Sequence, residues 1–174
     1  MFMRTPDTIN RETTDLIRRM AFMAEYRDTS VPSHVERIRQ YVNILALGIG
    51  LSPYEAELIS VAAQLHDIGK VGLPDELLLR AGNLTALELE ATKKHTLNGA
   101  EILKDAPIPV LQMGAAICLS HHERWDGSGY PQGLRGEQIP LGGRLTGLAD
   151  VFDALTTPRP YKKQISLLEA RNMI

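Results

Sequence analysis

The stretch LISVAAQLHDIGK (residues 58–70) decides the fold of this chain. Its first eight residues are apolar on nearly all sides, which predicts a helix that lies buried in the core. The helix is expected to carry His66 and Asp67 near its C-terminal end and to stop at Gly69. A buried helix that ends in a histidine and an aspartate points to a polar site in contact with the core.

Signals for the beginnings of helices recur on both sides of this stretch. Three segments have the Ser/Thr-x-x-Glu form of a capping box: Ser52–Glu55, Thr85–Glu88 and Ser166–Glu169. No segment alternates apolar and polar residues as a half-buried strand does. The sequence therefore predicts an all-α compact bundle of about six to eight helices. They are expected at roughly 9–27, 33–48, 53–68, 86–103, 109–122, 144–156 and from 167 onward, with a short helical turn near 75–79.

Composition limits the classes of function. The 174 residues are 44% hydrophobic and 23% charged, which is typical of one globular domain. A net charge of −2 provides no basic surface for a nucleic acid polymer or an anionic membrane. The single cysteine, Cys118, lies in an apolar run and is expected to be a buried hydrophobe rather than a metal ligand. With no possible internal disulfide, no membrane-length apolar run and no signal core in MFMRTPD, the expected location is the cytoplasm.

All five histidines stand in segments that resemble metal-binding sequences. Each has a plain structural alternative, such as a histidine that caps a helix, and Asp150 could instead pair with Arg144 or Arg159. Taken together, the candidates come from separate helices, as in bundles that bind two metal ions between inward-facing side chains. The candidate ligands are His34, His66, Asp67, His95, His121, His122 and Asp150. Nitrogen and oxygen ligands without a thiolate suit iron, manganese, zinc or cobalt. Two adjacent ions suit phosphoester cleavage, because they polarise phosphoryl oxygens and activate water.

One long irregular segment follows His121 and His122, the pair of adjacent histidines. Residues 123–143 contain six glycines and two prolines between two predicted helices. Loops of this length inside a compact domain are usually functional or disordered. Its position directly after His122 favours a functional loop.

At this point the sequence resembles the HD-GYP domain family. The resemblance rests on HDIGK (66–70), KKHTLNGAEIL (93–103), HHERWDGSGYP (121–131), Ile139-Pro140, LADVFDALT (148–156) and RPYK (159–162). It implies an HD-type helical bundle with a GYP loop, which is the irregular segment at residues 123–143 and contains Gly129-Tyr130-Pro131. The implied activity is a metal-dependent phosphodiesterase of bacterial signalling, which hydrolyses cyclic di-GMP to pGpG, GMP or both through a metal-activated water.

The resemblance also implies a domain division. Residues 1–23 are expected to form an N-terminal helix or linker, and residues 24–174 the HD-GYP domain. Family domains continue for another helix or two after RPYK, and those helices are expected to be missing from these 174 residues. The helix over residues 10–27 has two interpretations, a linker or a coil that forms a homodimer.

Carried over position by position, the resemblance makes the seven candidate residues above the metal ligands, with Asp67 bridging two ions. Asp67 and Lys70 are the expected catalytic residues, and Lys70 would also meet the substrate phosphate. Arg159, Lys162 and Tyr130 match positions that contact substrate. The alternative for the first two is a solvated positive patch, and for Tyr130 a loop tyrosine that packs on the core.

One departure from the family pattern concerns the number of ions. Members with three ions have a glutamate ligand four residues before the first histidine ligand, and here that position is Ser30. A neutral hydroxyl is a poor replacement for a carboxylate. The sequence therefore predicts two divalent ions, with iron or manganese as the expected metals.

The expected small-molecule partner is cyclic di-GMP, and the GYP loop is expected to contact GGDEF-domain proteins. Two other functions stay open. The same site could hydrolyse another cyclic dinucleotide or nucleotide, or the domain could bind nucleotide or a protein partner without catalysis. The complete set of histidine and aspartate candidates favours an enzyme.

Overall fold

The computed structural model describes residues 9–26, 33–80, 84–158 and 164–174. Within these ranges the chain forms eight α-helices and two short 3-10 helices and no strand, which confirms the predicted all-α bundle. Over the same ranges, no helix is long and apolar enough to cross a bilayer. The α-helices, α1 to α8, span Arg11–Glu25, Ser33–Gly48, Pro53–Ala63, Asp75–Leu78, Ala86–Leu103, Pro109–Cys118, Leu141–Thr156 and Leu167–Met173. The 3-10 helices span Ile68–Gly72 and Gly136–Gln138.

All three predicted capping boxes form, at the beginnings of α3, α5 and α8. At α3 the backbone N–H of Glu55 donates to the Ser52 hydroxyl at 3.3 Å, and the Ser52 N–H donates to Glu55 Oε2 at 2.9 Å. Each box satisfies N–H groups that a helix leaves without internal partners. Local sequence therefore determines where these three helices begin.

Helix α3 lies at the centre of the bundle. Val61, Ala62, Ala63 and Leu65 have no exposed surface, as the apolar run predicted. Helix α2 packs on α3 with Val35, Ile38 and Val42, and α6 packs on it with Val110 and Ile117. Fully burying a side chain of this size stabilises the fold by about 1.5 to 3 kcal/mol. The rigid support for the site is this central helix and its neighbours.

Two glycines allow α5 to lie against the 3-10 segment that follows α3. A Cβ on Gly69 would overlap the carbonyl oxygen of His95 and the backbone nitrogen of Gly99. A Cβ on Gly99 would come within 2.7 Å of Cys118 Sγ. The two glycines therefore allow a close backbone approach that fixes the distance between the HDIGK segment and His95.

The predicted ends of two helices and the beginning of a third were wrong. Helix α3 ends at Ala63 rather than 68, α6 ends at Cys118 rather than 122, and α7 begins at Leu141 rather than 144. After α3 the backbone changes to three-residue turns, and the His66 N–H donates to the Ala63 carbonyl at 3.2 Å. Tighter turns of this kind redirect His66 and Asp67 after α3 and the His121-His122 pair after α6.

Candidate metal centre

The structure brings the seven candidate ligands together in two groups of side chains. Within each group, one ligand atom from every residue lies within 4.8 Å of one from every other. The first group is Asp67, His95, His121 and His122, and the second is His34, His66 and Asp150. Five parts of the chain contribute: α2, the turn after α3, α5, the turn after α6, and α7.

Asp67 lies between the two groups. Its Oδ1 atom is 3.3 Å from His95 Nε2 and 3.8 Å from His121 Nε2, both in the first group. Its Oδ2 atom is 3.4 Å from His66 Nε2, in the second group, and 2.7 Å from Lys70 Nζ. One oxygen therefore faces each group, which is the geometry that a bridging carboxylate requires.

Hydrogen bonds fix the ring orientation of four histidines. In each ring Nδ1 lies within hydrogen-bond distance of an oxygen that can only accept, so Nδ1 is a donor and Nε2 is the atom that remains for a metal ion or a second proton. The partners are Asp153 for His34 at 2.8 Å, the carbonyl of Ala63 for His66 at 2.9 Å, that of Thr92 for His95 at 2.7 Å and that of Ile117 for His121 at 3.0 Å. Histidines that bind metals commonly have such partners.

The lone pairs face one another inside the site. His95 Nε2 lies 3.4 Å from His121 Nε2, and among the described residues His66 Nε2 has no hydrogen-bond partner. Neutral rings that point acceptor atoms at each other are stabilised by a shared cation. With nitrogen and oxygen donors and no thiolate, the residues fit a divalent first-row metal ion.

Burial and neighbouring charges shift the pKa values in this site. Burial lowers the pKa of His95, lowers that of His121 well below its usual value, and lowers that of His122 to about 4. Burial alone would raise the pKa of Asp67, but Lys70 and His66 hold it well below the usual range. For His66 burial is outweighed by Asp67 and other carboxylates, which raise its pKa to about 9. The carboxylates that favour a proton on His66 would equally favour a metal ion.

Three residues that the sequence analysis did not select support the His34 side. Asp153, at 1% exposure, accepts hydrogen bonds from His34 and from Arg37, whose Nη2 lies 2.9 Å from Asp153 Oδ2. Burial alone would raise the pKa of Asp153, but Arg37 and His34 hold it below its usual range. Glu25 is the third residue, with Oε1 at 3.7 Å from His34 Nε2. The spacing of Asp150 and Asp153 on one helix face was a signal that could have revealed Asp153.

Tyr130 of the GYP loop stacks on His122, with ring centroids 4.7 Å apart. On the same tyrosine, Lys93 Nζ lies 5.1 Å from the ring centroid. Burial raises the pKa of Tyr130 to about 12, so its hydroxyl stays protonated at neutral pH. Tyr130 is therefore next to the first group, whereas Arg159 and Lys162 lie outside the described residues.

Glu123 ties the GYP loop to the histidine pair. Its Oε1 accepts hydrogen bonds from the backbone N–H groups of Gln132 at 2.7 Å and Gly133 at 3.1 Å, and its Oε2 accepts one from Leu134 at 3.0 Å. The Tyr130 N–H also donates to the His122 carbonyl at 3.2 Å. These bonds fold the loop back over the site.

The sequence of this chain matches a known protein family. A family model described as HD domain matches residues 18–174. The chain belongs to the HD domain family. Together with the relatives described below, this match confirms the resemblance to HD-GYP proteins.

Relatives of this HD domain include enzymes that act on cyclic dinucleotides. A cyclic di-GMP phosphodiesterase of Thermotoga maritima is 45% identical over 156 residues, which are 90% of this chain and 42% of the relative. A 3'3'-cGAMP-specific phosphodiesterase 2 of Vibrio cholerae is 44% identical over 153 residues, 87% of this chain and 29% of the relative. The chain thus spans less than half the length of either protein.

A solved structure shares the fold. Bd1817, an HDG"Y"P protein from Bdellovibrio bacteriovorus, superposes with a TM-score of 0.65 at 22% sequence identity. The match covers 94% of this chain and 57% of Bd1817. The helical arrangement of this HD domain is therefore the one found in that protein.

Proposed function

We propose that this HD domain is a metal-dependent phosphodiesterase that hydrolyses cyclic di-GMP to pGpG, GMP or both at a centre of two divalent ions. The observation that carries the proposal is Asp67, whose two carboxylate oxygens each face a separate group of histidines. A bridging carboxylate between two nitrogen-rich groups supports two ions side by side, and iron or manganese are the proposed metals.

The choice of substrate rests on the relatives. The protein of Thermotoga maritima is named a cyclic di-GMP phosphodiesterase, and its 45% identity extends over 90% of this chain. The proposal extends to the substrate contacts of Arg159 and Lys162, to GGDEF-domain partners at the GYP loop and to a cytoplasmic location. It also includes the domain boundary between residues 23 and 24 and a homodimer through the N-terminal helix.

Divalent ions bound here supply Lewis acidity toward phosphoryl oxygens and make water easier to deprotonate. The residues of the chain do the rest. Lys70 Nζ, held 2.7 Å from Asp67 Oδ2, provides positive charge for the phosphoryl oxygens as negative charge builds up. Asp67 turns one oxygen toward His95 and the other toward His66, so it would help to hold an ion on each side. The Tyr130 ring covers His122 and restricts access of bulk water from that side.

A covalent enzyme intermediate does not fit the described residues. The only thiol, Cys118, has no exposed surface and donates to the Leu65 carbonyl at 3.3 Å. Burial raises its pKa to about 12, so the nucleophilic thiolate is scarce at neutral pH. This favours direct attack of water on phosphorus.

A second candidate substrate is 3'3'-cGAMP. The relative of Vibrio cholerae that is named for this substrate is 44% identical, close to the value for the cyclic di-GMP enzyme. Both substrates contain two phosphodiester bonds in a ring, so the same centre could cleave either. A difference in the rate of cleavage of the two substrates would arise from contacts between the protein and the bases.

The test combines metal content with turnover of both substrates by protein prepared anaerobically with Mn²⁺ or Fe²⁺. Asp67→Asn removes the bridging charge, whereas Asp105→Asn, on an exposed residue at φ 59° that asparagine tolerates, is the matched control. Two ions per chain and product release, lost in Asp67→Asn and kept in Asp105→Asn, would support the proposal. Protein that binds ions but turns over neither compound would indicate another substrate. Protein that binds no metal would contradict the proposed enzymatic activity.

A further inference from the structure

Glu25, the last residue of α1, is a buried carboxylate that accepts no hydrogen bond from the part of the chain that the structure describes. It is 3% exposed, and among the described residues neither of its oxygens has a hydrogen-bond partner. It follows Ile17, Ala21 and Ala24 on the face of α1 that packs into the core. Burial raises the pKa of Glu25. Charged side chains are rarely buried unless they are paired or bound to a metal, so the ionised form of Glu25 needs a compensating cation.

The His34 ring beside Glu25 supplies no hydrogen bond to it. Glu25 Oε1 lies 3.7 Å from His34 Nε2, which is longer than a hydrogen bond. His34 Nδ1 lies 2.8 Å from the carboxylate of Asp153, so Nε2 is the unprotonated nitrogen of the neutral ring. Two lone pairs therefore face each other at this position.

The separation suits a shared metal ion. Two ligand atoms that each lie about 2.1 Å from one ion are about 3.0 to 3.4 Å apart when they are adjacent in its coordination sphere. The Glu25–His34 distance is 3.7 Å, the same as that from His34 Nε2 to Asp150 Oδ1. Movement of a few tenths of an ångström would bring either carboxylate oxygen to the distance expected for an ion that His34 Nε2 also binds.

We propose that Glu25 is a ligand of the ion held by His34, His66 and Asp150. The assignment rests on the proposed metal centre and adds a carboxylate that the sequence motifs did not indicate. With Glu25 this group contains two carboxylates, so its formal charge balances one divalent ion.

Binding of Mn²⁺ to the full metal-free chain tests the ligand role without any substrate. Calorimetric titration and metal content after gel filtration are compared for the wild type, Glu25→Gln and Glu12→Gln. The control changes an exposed glutamate at the other end of the same helix. We expect Glu25→Gln to lose at least tenfold in affinity for one of the two ions, or to retain one ion fewer per chain, while Glu12→Gln matches the wild type.

A purely structural glutamate would behave differently. Removing a buried, unpaired charge would raise the melting temperature of the metal-free Glu25→Gln protein and leave Mn²⁺ affinity unchanged, and that result would overturn the assignment. If Glu25→Gln does not fold, Glu25→Asp decides. Aspartate keeps the charge but withdraws it by one methylene, so a ligand role predicts weaker Mn²⁺ binding, and wild-type affinity would contradict it.

The test separates this inference from the proposed function. Wild-type protein that binds two ions while Glu25→Gln binds them equally well removes only the Glu25 assignment. Wild-type protein that binds no Mn²⁺ removes the metal centre, and the Glu25 assignment with it.

Discussion

Asp153 lies 2.8 Å from Nδ1 of His34 although 119 positions of sequence separate the two residues. The same carboxylate binds the guanidinium of Arg37, one turn after His34 on α2. A partly buried ion pair between Arg37 and Asp153 therefore joins α2 to α7, and the same carboxylate holds the candidate metal ligand His34. The carboxylate determines both the tautomer and the direction of the His34 ring.

Asp153→Asn is expected to weaken Mn²⁺ binding about 10- to 100-fold, the usual effect of losing such a support. An amide oxygen can accept from His34 or from Arg37 but cannot hold both with a full charge. Calorimetric titration measures the change. Asp15→Asn is the matched control, because Asp15 pairs with Arg18 and Arg19 on the surface of α1. Equal affinity in the two variants would show that the ring of His34 does not need Asp153.

Gly69→Ala is expected to destabilise the fold by about 1 to 3 kcal/mol, as overpacking commonly does. Its Cβ would meet the His95 carbonyl oxygen and push α5 away from the HDIGK segment. Urea unfolding of the metal-free protein measures this effect. A Cβ on Gly48, at the end of α2, would meet nothing within 4 Å, so Gly48→Ala should be neutral or slightly stabilising. Equal losses in both variants would disprove the steric explanation.

Glu123→Gln should loosen the GYP loop, because three backbone N–H groups depend on the two oxygens of Glu123. Hydrogen bonds to a charged acceptor stabilise by about 1.5 to 3 kcal/mol, and part of that free energy would be lost. Limited proteolysis measures this effect, and we expect faster cleavage between residues 124 and 140 than in the wild type. Glu137→Gln, at an exposed residue of the same loop, should be cleaved at the wild-type rate.

Cys118 should resist thiol reagents in the native protein at pH 8. Burial raises its pKa from 9.0 to about 12, so the reactive thiolate is rarer in the folded than in the unfolded chain. The associated stabilisation is complete below pH 9.0 and is lost as the pH rises toward about 12. A disulfide reagent should therefore label one thiol per chain only after denaturation. Rapid labelling of native protein would contradict this.

The helices could be predicted because their beginnings are encoded locally, as Ser52, Thr85 and Ser166 show. The ends of α3 and α6 could not, because apolar residues continue past Ala63 and Cys118 without a residue that breaks a helix. There the chain leaves the helix so that the next histidine can face the centre. Tertiary contact decides that point, and local propensity does not.

The seven candidate ligands could be found because histidine and aspartate are conspicuous in apolar segments. Glu25 and Asp153 were missed for a physical reason. Both carboxylates are recognisable only because they lie next to His34 in the folded chain. The packing of α1 and α7 on α2 brings them there, and the sequence does not show that packing. The sequence shows which residues have suitable chemistry, whereas the burial of these two carboxylates beside His34 shows which of them belong to the site.

The centre also has a mechanical consequence. Its donors come from residues 34 to 150, and they tie together segments that are otherwise held by apolar contacts. An ion that binds here acts as a removable cross-link, because it stabilises only the folded chain and does so in proportion to the logarithm of its free concentration. The resistance of this domain to heat and proteases should therefore follow the supply of metal around it.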